Sequence, residues 1–207
     1  MSKHRKLKPT LAERMVWAEA GDASGLRVHQ RPYARVSMLN CWEHNMVLPG
    51  YVLMAEGTQV HVALWPGDEP SPEGGTMTRQ LILSRAFASQ ASSYVICVGG
   101  LWRPGDMPAE LGRKLLGTYN GGTYIIDPMG GIIAGPAVDE EILYADISLE
   151  AVRLAKTLSD VAGHYSRPDI FKLAVDRRPR PQLDALDGAS ENGNSQGDPS
   201  ITAEHDS

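Results

Sequence analysis

The spacing of apolar side chains predicts several helices. The clearest repeat, at intervals of three and four residues, runs from residue 78 to residue 93. Two weaker segments carry a boundary signal, because Gly57 is typical of the position after a helix and Ser148 is typical of an N-cap. The predicted helical segments are residues 11–17, 43–56, 78–93 and 149–158.

Shorter apolar or alternating runs predict strands. Residues 94–98 form a continuous apolar run bounded by Gly99 and Gly100, which is typical of a buried strand. Residues 58–65 alternate between apolar and polar side chains and end at Pro66-Gly67. Further strands are predicted at residues 26–29, 35–40, 123–127, 132–134 and 142–147, and a loop with one short helix at residues 102–117.

Composition separates the end of the chain from the rest. Residues 184–207 contain six acidic residues, no lysine or arginine, and many Gly, Ser and Asn. Such a segment cannot bury enough apolar surface to offset its ordering entropy. We therefore expect one folded domain over residues 1–176 and a disordered acidic tail over residues 177–207.

Charge and cysteine content limit the classes of function. The net charge of −5 argues against a nucleic-acid surface, and the basic cluster at residues 3–8 is, on charge alone, typical of a solvated N-terminus. Two cysteines do not make a disulfide framework, so we expect a reduced, cytoplasmic setting. No apolar run reaches the roughly 18 residues of a membrane span, and the residues after Met1 do not resemble a signal peptide. The histidines and cysteines have no metal-ligand spacing, so no metal is expected.

The junction around Cys41 is the most informative local feature. An apolar strand ends at this cysteine and a helix is predicted to begin just after it. A nucleophile in that position sits on a sharp turn at the carboxyl edge of a sheet. The free N–H groups of the helix start are expected to lower the pKa of the thiol and to hold a developing anion.

Other interpretations of the cysteines and histidines stay open at this point. Cys41 fits a small, inert core residue at a strand end, and Cys97, in mid-strand, fits that interpretation better. His44 and His61 lie near Cys41 in sequence, but nothing in the pattern identifies either as its base.

Several segments, in order along the chain, resemble the nitrilase branch of the carbon–nitrogen hydrolases, closest to aliphatic nitrilases and cyanide-degrading members. The resemblance covers residues 3–175, and its two main motifs place Lys6 and Cys41 35 residues apart. The matching segments are the lysine segment His4-Arg5-Lys6-Leu7-Lys8-Pro9-Thr10, the nucleophile motif Cys41-Trp42-Glu43, residues 57–66, 84–88 and 121–128, Ala134-Gly135-Pro136, and residues 163–169.

The resemblance implies roles for individual residues. Cys41 would be the nucleophile, Lys6 would stabilise negative charge, and Glu13 would orient Lys6. The residues implied around the anion site and substrate pocket are Trp42, Glu43, His44 and Trp65. No cofactor is implied. The product would be a carboxylic acid and ammonia, formed from a nitrile through a thioimidate and a thioester.

The resemblance also implies what this chain would lack. The family's general base is a glutamate well upstream of the lysine, and the given sequence begins just before Lys6. Ser37 and Asn40 stand where the family more often has a glycine and an apolar residue. We therefore expect the C-terminal part of the domain, an α+β fold. It would be an incomplete four-layer α-β-β-α sandwich with strands missing from each sheet and helices on one outer face.

Two other functions stay open beside the nitrilase. One is a non-catalytic fragment that acts as a folding or assembly partner, and the other is an amidase or carbamoylase, against which Trp42 argues. The implied partners are a small nitrile, further copies of the chain in a dimer or spiral, and a missing N-terminal half or full-length relative. Neither nucleic acid nor a membrane is expected.

Overall fold

The computed structural model describes residues 3–19, 21–67, 78–101, 103, 106, 108, 121–139 and 142–178. Short 3₁₀ helices span Leu11–Met15 and Cys41–Asn45. The α-helices are α1 (Val47–Ala55), α2 (Arg79–Ala91) and α3 (Leu149–Leu158). The strands are β1 (His29–Gln30), β2 (Arg35–Asn40), β3 (Val60–Trp65), β4 (Tyr94–Gly99), β5 (Thr123–Ile126) and β6 (Ile132–Ala137).

These strands form one mixed sheet in the order β1-β2-β3-β4-β5-β6. Strands β2, β3 and β4 are parallel neighbours, and the other pairs are antiparallel. Asn40 lies opposite Leu64, and Leu64 lies opposite Val98, so the three parallel strands end at the same edge of the sheet. Together with the helices this confirms the α+β class.

One face of the sheet carries the main core. Alternate residues of β2, β3 and β4 point to this face, and they pack with side chains of α1 and α2. The buried members of this cluster include Leu39, Ala63, Val95 and Cys97 from the sheet and Leu53, Leu81, Phe87 and Ala88 from the helices. Hydrogen bonds between the parallel strands and the packing of this apolar layer hold the end of β2 in place. They therefore fix the position of Cys41, which directly follows β2.

The opposite face is covered only in part. Val152 of α3 packs against Ala34, Val60 and Tyr94, so α3 lies on this face, whereas helices were expected on one outer face only. Farther along the strands, Met38 is 44% exposed and Leu64 is 38% exposed. Every strand of the described residues belongs to the single sheet, so a second sheet of the expected sandwich is not built by this part of the chain.

Three local predictions differ from the structure. The strand predicted at residues 26–29 is wrong for most of its length, because the observed strand β1 covers only His29–Gln30. The helix predicted over residues 43–56 is broken at Met46, whose backbone is extended. A continuous helix would drive the ring of Pro49 into the carbonyl of Asn45, whereas Pro49 is tolerated in the first turn of a new helix. The strand predicted at residues 142–147 is wrong, because this segment carries exposed side chains, such as Ile142 and Tyr144, and leads directly into α3.

Some predictions fall outside the described residues. Most of the loop predicted at residues 102–117 does, and so does the tail predicted at residues 177–207 apart from Arg177 and Arg178. Within the part of the chain that the structure describes, no helix has both the length and the hydropathy needed to cross a membrane.

Two glycines provide a matched test of this packing. A Cβ on Gly99 would lie 1.7 Å from the carbonyl oxygen of Gly121, whereas a Cβ on Gly50 in α1 would make an ordinary contact with the Phe87 ring at 3.6 Å. We expect Gly99→Ala to lower the free energy of unfolding by about 1–3 kcal/mol, as overpacking does. Gly50→Ala should raise it by about 0.5–1 kcal/mol, because alanine is the better helix former. Urea unfolding followed by circular dichroism measures both, and equal midpoints for the two variants would contradict the β4–β5 contact.

Candidate active site

Cys41 occupies a strained turn at the edge of the sheet. It directly follows β2, begins a 3₁₀ helix, and has a φ of 56°. This left-handed conformation is uncommon for a residue other than glycine and costs on the order of 1–3 kcal/mol, which the surrounding contacts must offset. The residue is 9% exposed. The sharp strand-to-helix turn predicted from the sequence is therefore present.

The carboxylate of Glu43 holds this turn against the N-terminal segment. Glu43 is 1% exposed and accepts hydrogen bonds from three groups. The backbone N–H of Asn40 donates at 3.0 Å, the backbone N–H of Leu7 at 2.8 Å, and the Nε2 atom of His4 at 3.0 Å. Two of these donors lie 36 and 39 residues away in sequence. One buried side chain therefore joins the turn that carries Cys41 to the segment that carries Lys6.

The environment of Glu43 keeps its carboxylate ionised. Burial alone raises its pKa, but the hydrogen bonds from His4, Leu7 and Asn40 outweigh burial and hold the pKa below its ordinary value. A buried carboxylate whose lone pairs meet several donors is a stable structural element, whereas an unsatisfied one would be costly.

Lys6 is buried beside Cys41 and is fixed by its own partners. Its Nζ atom donates to Glu13 Oε2 at 2.5 Å and to Thr10 Oγ1 at 3.1 Å. The same carboxylate oxygen accepts the backbone N–H of Thr10 at 2.5 Å, so Glu13 both starts the 3₁₀ helix and orients the ammonium group. Gly25 packs against this segment so closely that a Cβ there would lie 2.2 Å from the Lys3 carbonyl oxygen.

The thiol of Cys41 does not have the lowered pKa that the sequence suggested. Burial is the largest effect and raises the pKa of the thiol above its ordinary value. The charge of Lys6 and a hydrogen bond from the Trp42 backbone N–H act in the opposite direction, and the negative charges of Glu13 and Glu43 add to the rise. The prediction failed because the turn is enclosed by the N-terminal segment, which removes water from the sulfur.

Aromatic side chains enclose a small cavity near the turn. Trp42 and Trp65 meet edge to face with ring centroids 6.3 Å apart, and the guanidinium of Arg79 lies 5.3 Å from the Trp42 centroid. A cavity of about 80 Å³ is lined by Trp42, Trp65, Pro66, Gly67, Thr78, Arg79 and Gln80. Of the residues that the resemblance placed around a substrate, the two tryptophans line this cavity.

His44 and Glu43 do not line the cavity bounded by Trp42 and Trp65. Glu43 is enclosed in the contact with Leu7 and Asn40, and His44 lines a separate cavity of about 320 Å³ between α1 and α2. The Nδ1 atom of His44 is 2.7 Å from the Cys41 carbonyl oxygen, and its Nε2 atom is 3.0 Å from Nε2 of His61. Both ring nitrogens are therefore engaged, which argues against His44 as a base for the thiol.

Sequence reasoning missed several residues of this site. His4, which contacts Glu43, lies in the lysine segment but had no predicted role. Ser37 contacts His61, and Thr58 contacts Ser37. A signal was present for the link through Glu43, because an acidic residue three positions after Asn40 has the spacing of a capping box. No local sequence pattern links Glu43 with His4 or Leu7, which lie 39 and 36 residues away. Among the described residues, no group of three or more His, Cys, Asp or Glu is placed to hold a metal ion.

Comparison with known proteins identifies related sequences. A profile of the carbon–nitrogen hydrolase family matches residues 1–157. The chain is 50% identical over 190 residues to Nitrilase 2 from an unknown prokaryotic organism, covering 91% of this chain and 58% of the relative. It is 39% identical to an aliphatic nitrilase of Rhodococcus rhodochrous, covering 86% and 51%. It is 35% identical to a cyanide hydratase of Microdochium sorghi, covering 93% and 56%.

The fold also matches a solved structure. A carbon–nitrogen hydrolase from Helicobacter pylori G27 superposes with a TM-score of 0.63 at 19% identity, covering 76% of this chain and 54% of that one. At this identity the likeness concerns the fold alone. The chain spans about half the length of the relatives it matches.

Neutralising Glu43 tests the link between the two segments. Because its folded pKa is below the ordinary 4.5, Glu43 contributes stability above pH 4.5 that is lost as the pH falls through the folded pKa. We expect Glu43→Gln to lower the free energy of unfolding at pH 7 by about 1–3 kcal/mol. The difference from the wild type should shrink below pH 4.5.

Urea unfolding between pH 3 and pH 8 measures this difference. Glu19→Gln is the matched control, since Glu19 forms an exposed ion pair with Lys8 and such pairs contribute little. A difference between Glu43→Gln and wild type that did not change with pH would contradict an ionised Glu43 as the source of the stability.

Proposed function

We propose that this chain, which belongs to the carbon–nitrogen hydrolase family, carries the nucleophile and the charge-stabilising lysine of a nitrile hydrolase. The observation that carries the proposal is the contact through Glu43, which holds the Lys6 segment against the strained turn at Cys41. A thiol beside a fixed ammonium and a backbone N–H is suited to addition to a carbon–nitrogen multiple bond.

The choice of a nitrile rests on three supports. The relatives at 50%, 39% and 35% identity are named as nitrilases and a cyanide hydratase. The small cavity bounded by Trp42 and Trp65 also suits a compact, linear group. The tryptophan that follows Cys41 belongs to the nitrilase branch in the resemblance described above, which favours this substrate over an amide.

The proposed reaction begins at the Cys41 sulfur. The thiolate adds to the nitrile carbon, a carbon–sulfur bond forms, and the nitrogen takes up a proton to give a thioimidate. Water adds to that carbon, and ammonia leaves to give a thioester. A second water releases the carboxylic acid and restores the thiol. In total one nitrile and two waters give one acid and one ammonia.

Lys6 and Trp42 would stabilise the charge that this addition creates. The Lys6 ammonium is held by Glu13 and Thr10, so it needs no reorganisation as negative charge develops. The Trp42 backbone N–H lowers the pKa of the Cys41 thiol. Both groups therefore act at the reacting atoms.

Proton removal from Cys41 needs a further group. Burial raises the pKa of the thiol, so the reactive thiolate has to form by transfer of its proton to a base. Glu13 and Glu43 are committed to hydrogen bonds with Lys6 and with backbone N–H groups. We assign the base to the glutamate that the family resemblance places upstream of Lys6, in the half of the domain that this chain does not match. The partly exposed face around Met38 and Leu64 is where we expect that half to pack.

Ammonia release from a panel of small nitriles, cyanide included, tests the proposal. The chain is assayed alone and together with the part of Nitrilase 2 that lies outside the matched region. When the Nitrilase 2 part is present, we expect ammonia release. The Cys41→Ala variant should lose this release, and the Cys97→Ala variant should keep it, because Cys97 is fully buried within β4. Alone, the chain should be slower by about 10²–10⁴-fold, the usual effect of losing a general base. Release that does not depend on Cys41, or turnover of the matching amides alone, would contradict the proposal.

A lysine pair tests the role of the ammonium group. We expect Lys6→Ala to lower kcat in the complemented enzyme by about 10²–10³-fold, the usual effect of removing a group that stabilises the transition state. Lys8→Ala is the matched control, because the Lys8 side chain is 60% exposed and pairs with Glu19. Equal losses for the two variants would argue against a charge-stabilising role for Lys6.

A further inference from the structure

A row of buried polar side chains leads from the middle of the sheet to the Cys41 turn. Thr58 Oγ1 is 2.7 Å from Ser37 Oγ, and Ser37 Oγ is 2.8 Å from Nδ1 of His61. Nε2 of His61 is 3.0 Å from Nε2 of His44, and Nδ1 of His44 is 2.7 Å from the Cys41 carbonyl oxygen. The sequence does not suggest this row, because its members are distant along the chain. They come from β2, β3, the 3₁₀ helix after β2 and the residues just before β3.

The chemistry of the atoms fixes the direction of the hydrogen bonds from Ser37 to the Cys41 carbonyl. The Cys41 carbonyl can only accept, so the proton of His44 is on Nδ1. Burial lowers the pKa of His44 to about 4 and that of His61 well below its ordinary value, so both rings are neutral at pH 7. Nε2 of neutral His44 therefore accepts from Nε2–H of His61. Nδ1 of His61 in turn accepts from the Ser37 hydroxyl. The Thr58 hydroxyl lies 2.7 Å from Ser37 Oγ and 3.3 Å from the Val60 carbonyl oxygen, so its proton has two acceptors within reach.

Aromatic packing holds the two rings in this arrangement. His44 stacks on Trp65 with ring centroids 4.8 Å apart, and His61 stacks on Phe87 at 3.9 Å. A neutral imidazole with one defined tautomer and a restrained plane is a directional donor. The structure therefore supplies a fixed N–H aimed at a single backbone carbonyl.

That carbonyl belongs to a peptide group with a second function. The carbonyl of Cys41 and the N–H of Trp42 are the two ends of the same peptide unit, and the Trp42 N–H acts to lower the pKa of the Cys41 thiol. A hydrogen bond accepted by a carbonyl polarises the peptide and strengthens the donor at its other end. Any group that holds the carbonyl also restrains the rotation of the strained Cys41 residue, whose φ is 56°.

We propose that His44, oriented by His61 and Ser37, is a positioning residue that aims and polarises the Cys41–Trp42 peptide, so that the Trp42 N–H stabilises the thiolate and the anion formed during addition. The inference rests on the proposed function in taking Cys41 as the nucleophile. It assigns the two histidines a role through the backbone, whereas the sequence raised them only as bases for the thiol.

The test is the reactivity of the Cys41 thiol, which needs no nitrile turnover. Alkylation by iodoacetamide is followed from pH 6 to pH 10 by peptide mass spectrometry, with Cys97 as an internal reference. Both histidines stay neutral over this range, so the groups whose charges bear on the thiol are Lys6, Glu13 and Glu43. The profile thus reports how readily the Cys41 thiol gives up its proton.

Three substitutions separate the donor from the packing of the ring. Asparagine places an N–H donor near the position of Nδ1, glutamine places one near Nε2, and alanine places none. We expect His44→Ala and His44→Gln to raise the pH midpoint for Cys41 by about 0.5 unit and to slow its alkylation at pH 7.5 about threefold. His44→Asn should retain wild-type values. Circular dichroism and the protection of Cys97 confirm that each variant is folded.

Two results would overturn the inference. Wild-type reactivity in all three variants would show that the His44 donor does not act on the thiol. Equal slowing in all three would show that the ring is needed for packing alone, and the comparison of asparagine with glutamine decides this even if the alanine variant fails to fold. Failure of the proposed function gives a different result, namely the expected alkylation pattern in a complemented protein that releases no ammonia from nitriles.

Discussion

The carboxylate of Glu43 is removed from water and surrounded by N–H donors from two distant parts of the chain. Leu7 and His4 donate from the N-terminal segment, and Asn40 donates from the end of β2. Burying a charge is unfavourable unless such donors satisfy it, so the three groups must converge for the site to be stable. This constraint brings Lys6 to the turn at Cys41. It also encloses the turn, which offsets the strain of a left-handed residue with local contacts.

The same enclosure sets the electrostatics of the thiol. Removing water from Cys41 raises its pKa more than Lys6 and the Trp42 N–H lower it, so the resting thiol is protonated at neutral pH. The two carboxylates whose charges reach the sulfur, Glu13 and Glu43, orient other groups. In the proposed mechanism the described residues would stabilise charge on the reacting atoms, and the upstream glutamate implied by the family resemblance would remove the proton. The division agrees with a chain that spans about half the length of its relatives.

Much of the fold followed from local pattern, because strands and helices here obey their ordinary periodicities. The helix at Leu149–Leu158 and the strand at Arg35–Asn40 were predicted to the residue. The helix after Cys41 was predicted without a break because helical spacing continues through the segment, whereas the ring of Pro49 excludes a helix that runs through the preceding turn. The family resemblance predicted Cys41, Lys6 and Glu13 as site residues, but not the contacts of Glu43 and the two histidines. Part of each set of contacts depends on hydrogen bonds between residues 17 to 39 positions apart, which no local pattern encodes.

Hydrogen exchange at the Leu7 amide tests the docking of the lysine segment most directly. This N–H donates to a carboxylate that is 1% exposed, so its exchange should require separation of the segment from the Cys41 turn. The account predicts protection of Leu7 comparable to that of the Asn40 amide, and selective loss of both in Glu43→Ala while the core of β4 stays protected. Exchange of Leu7 at the rate of an unstructured peptide, with Asn40 still protected, would show that the segment is not docked and would contradict the account.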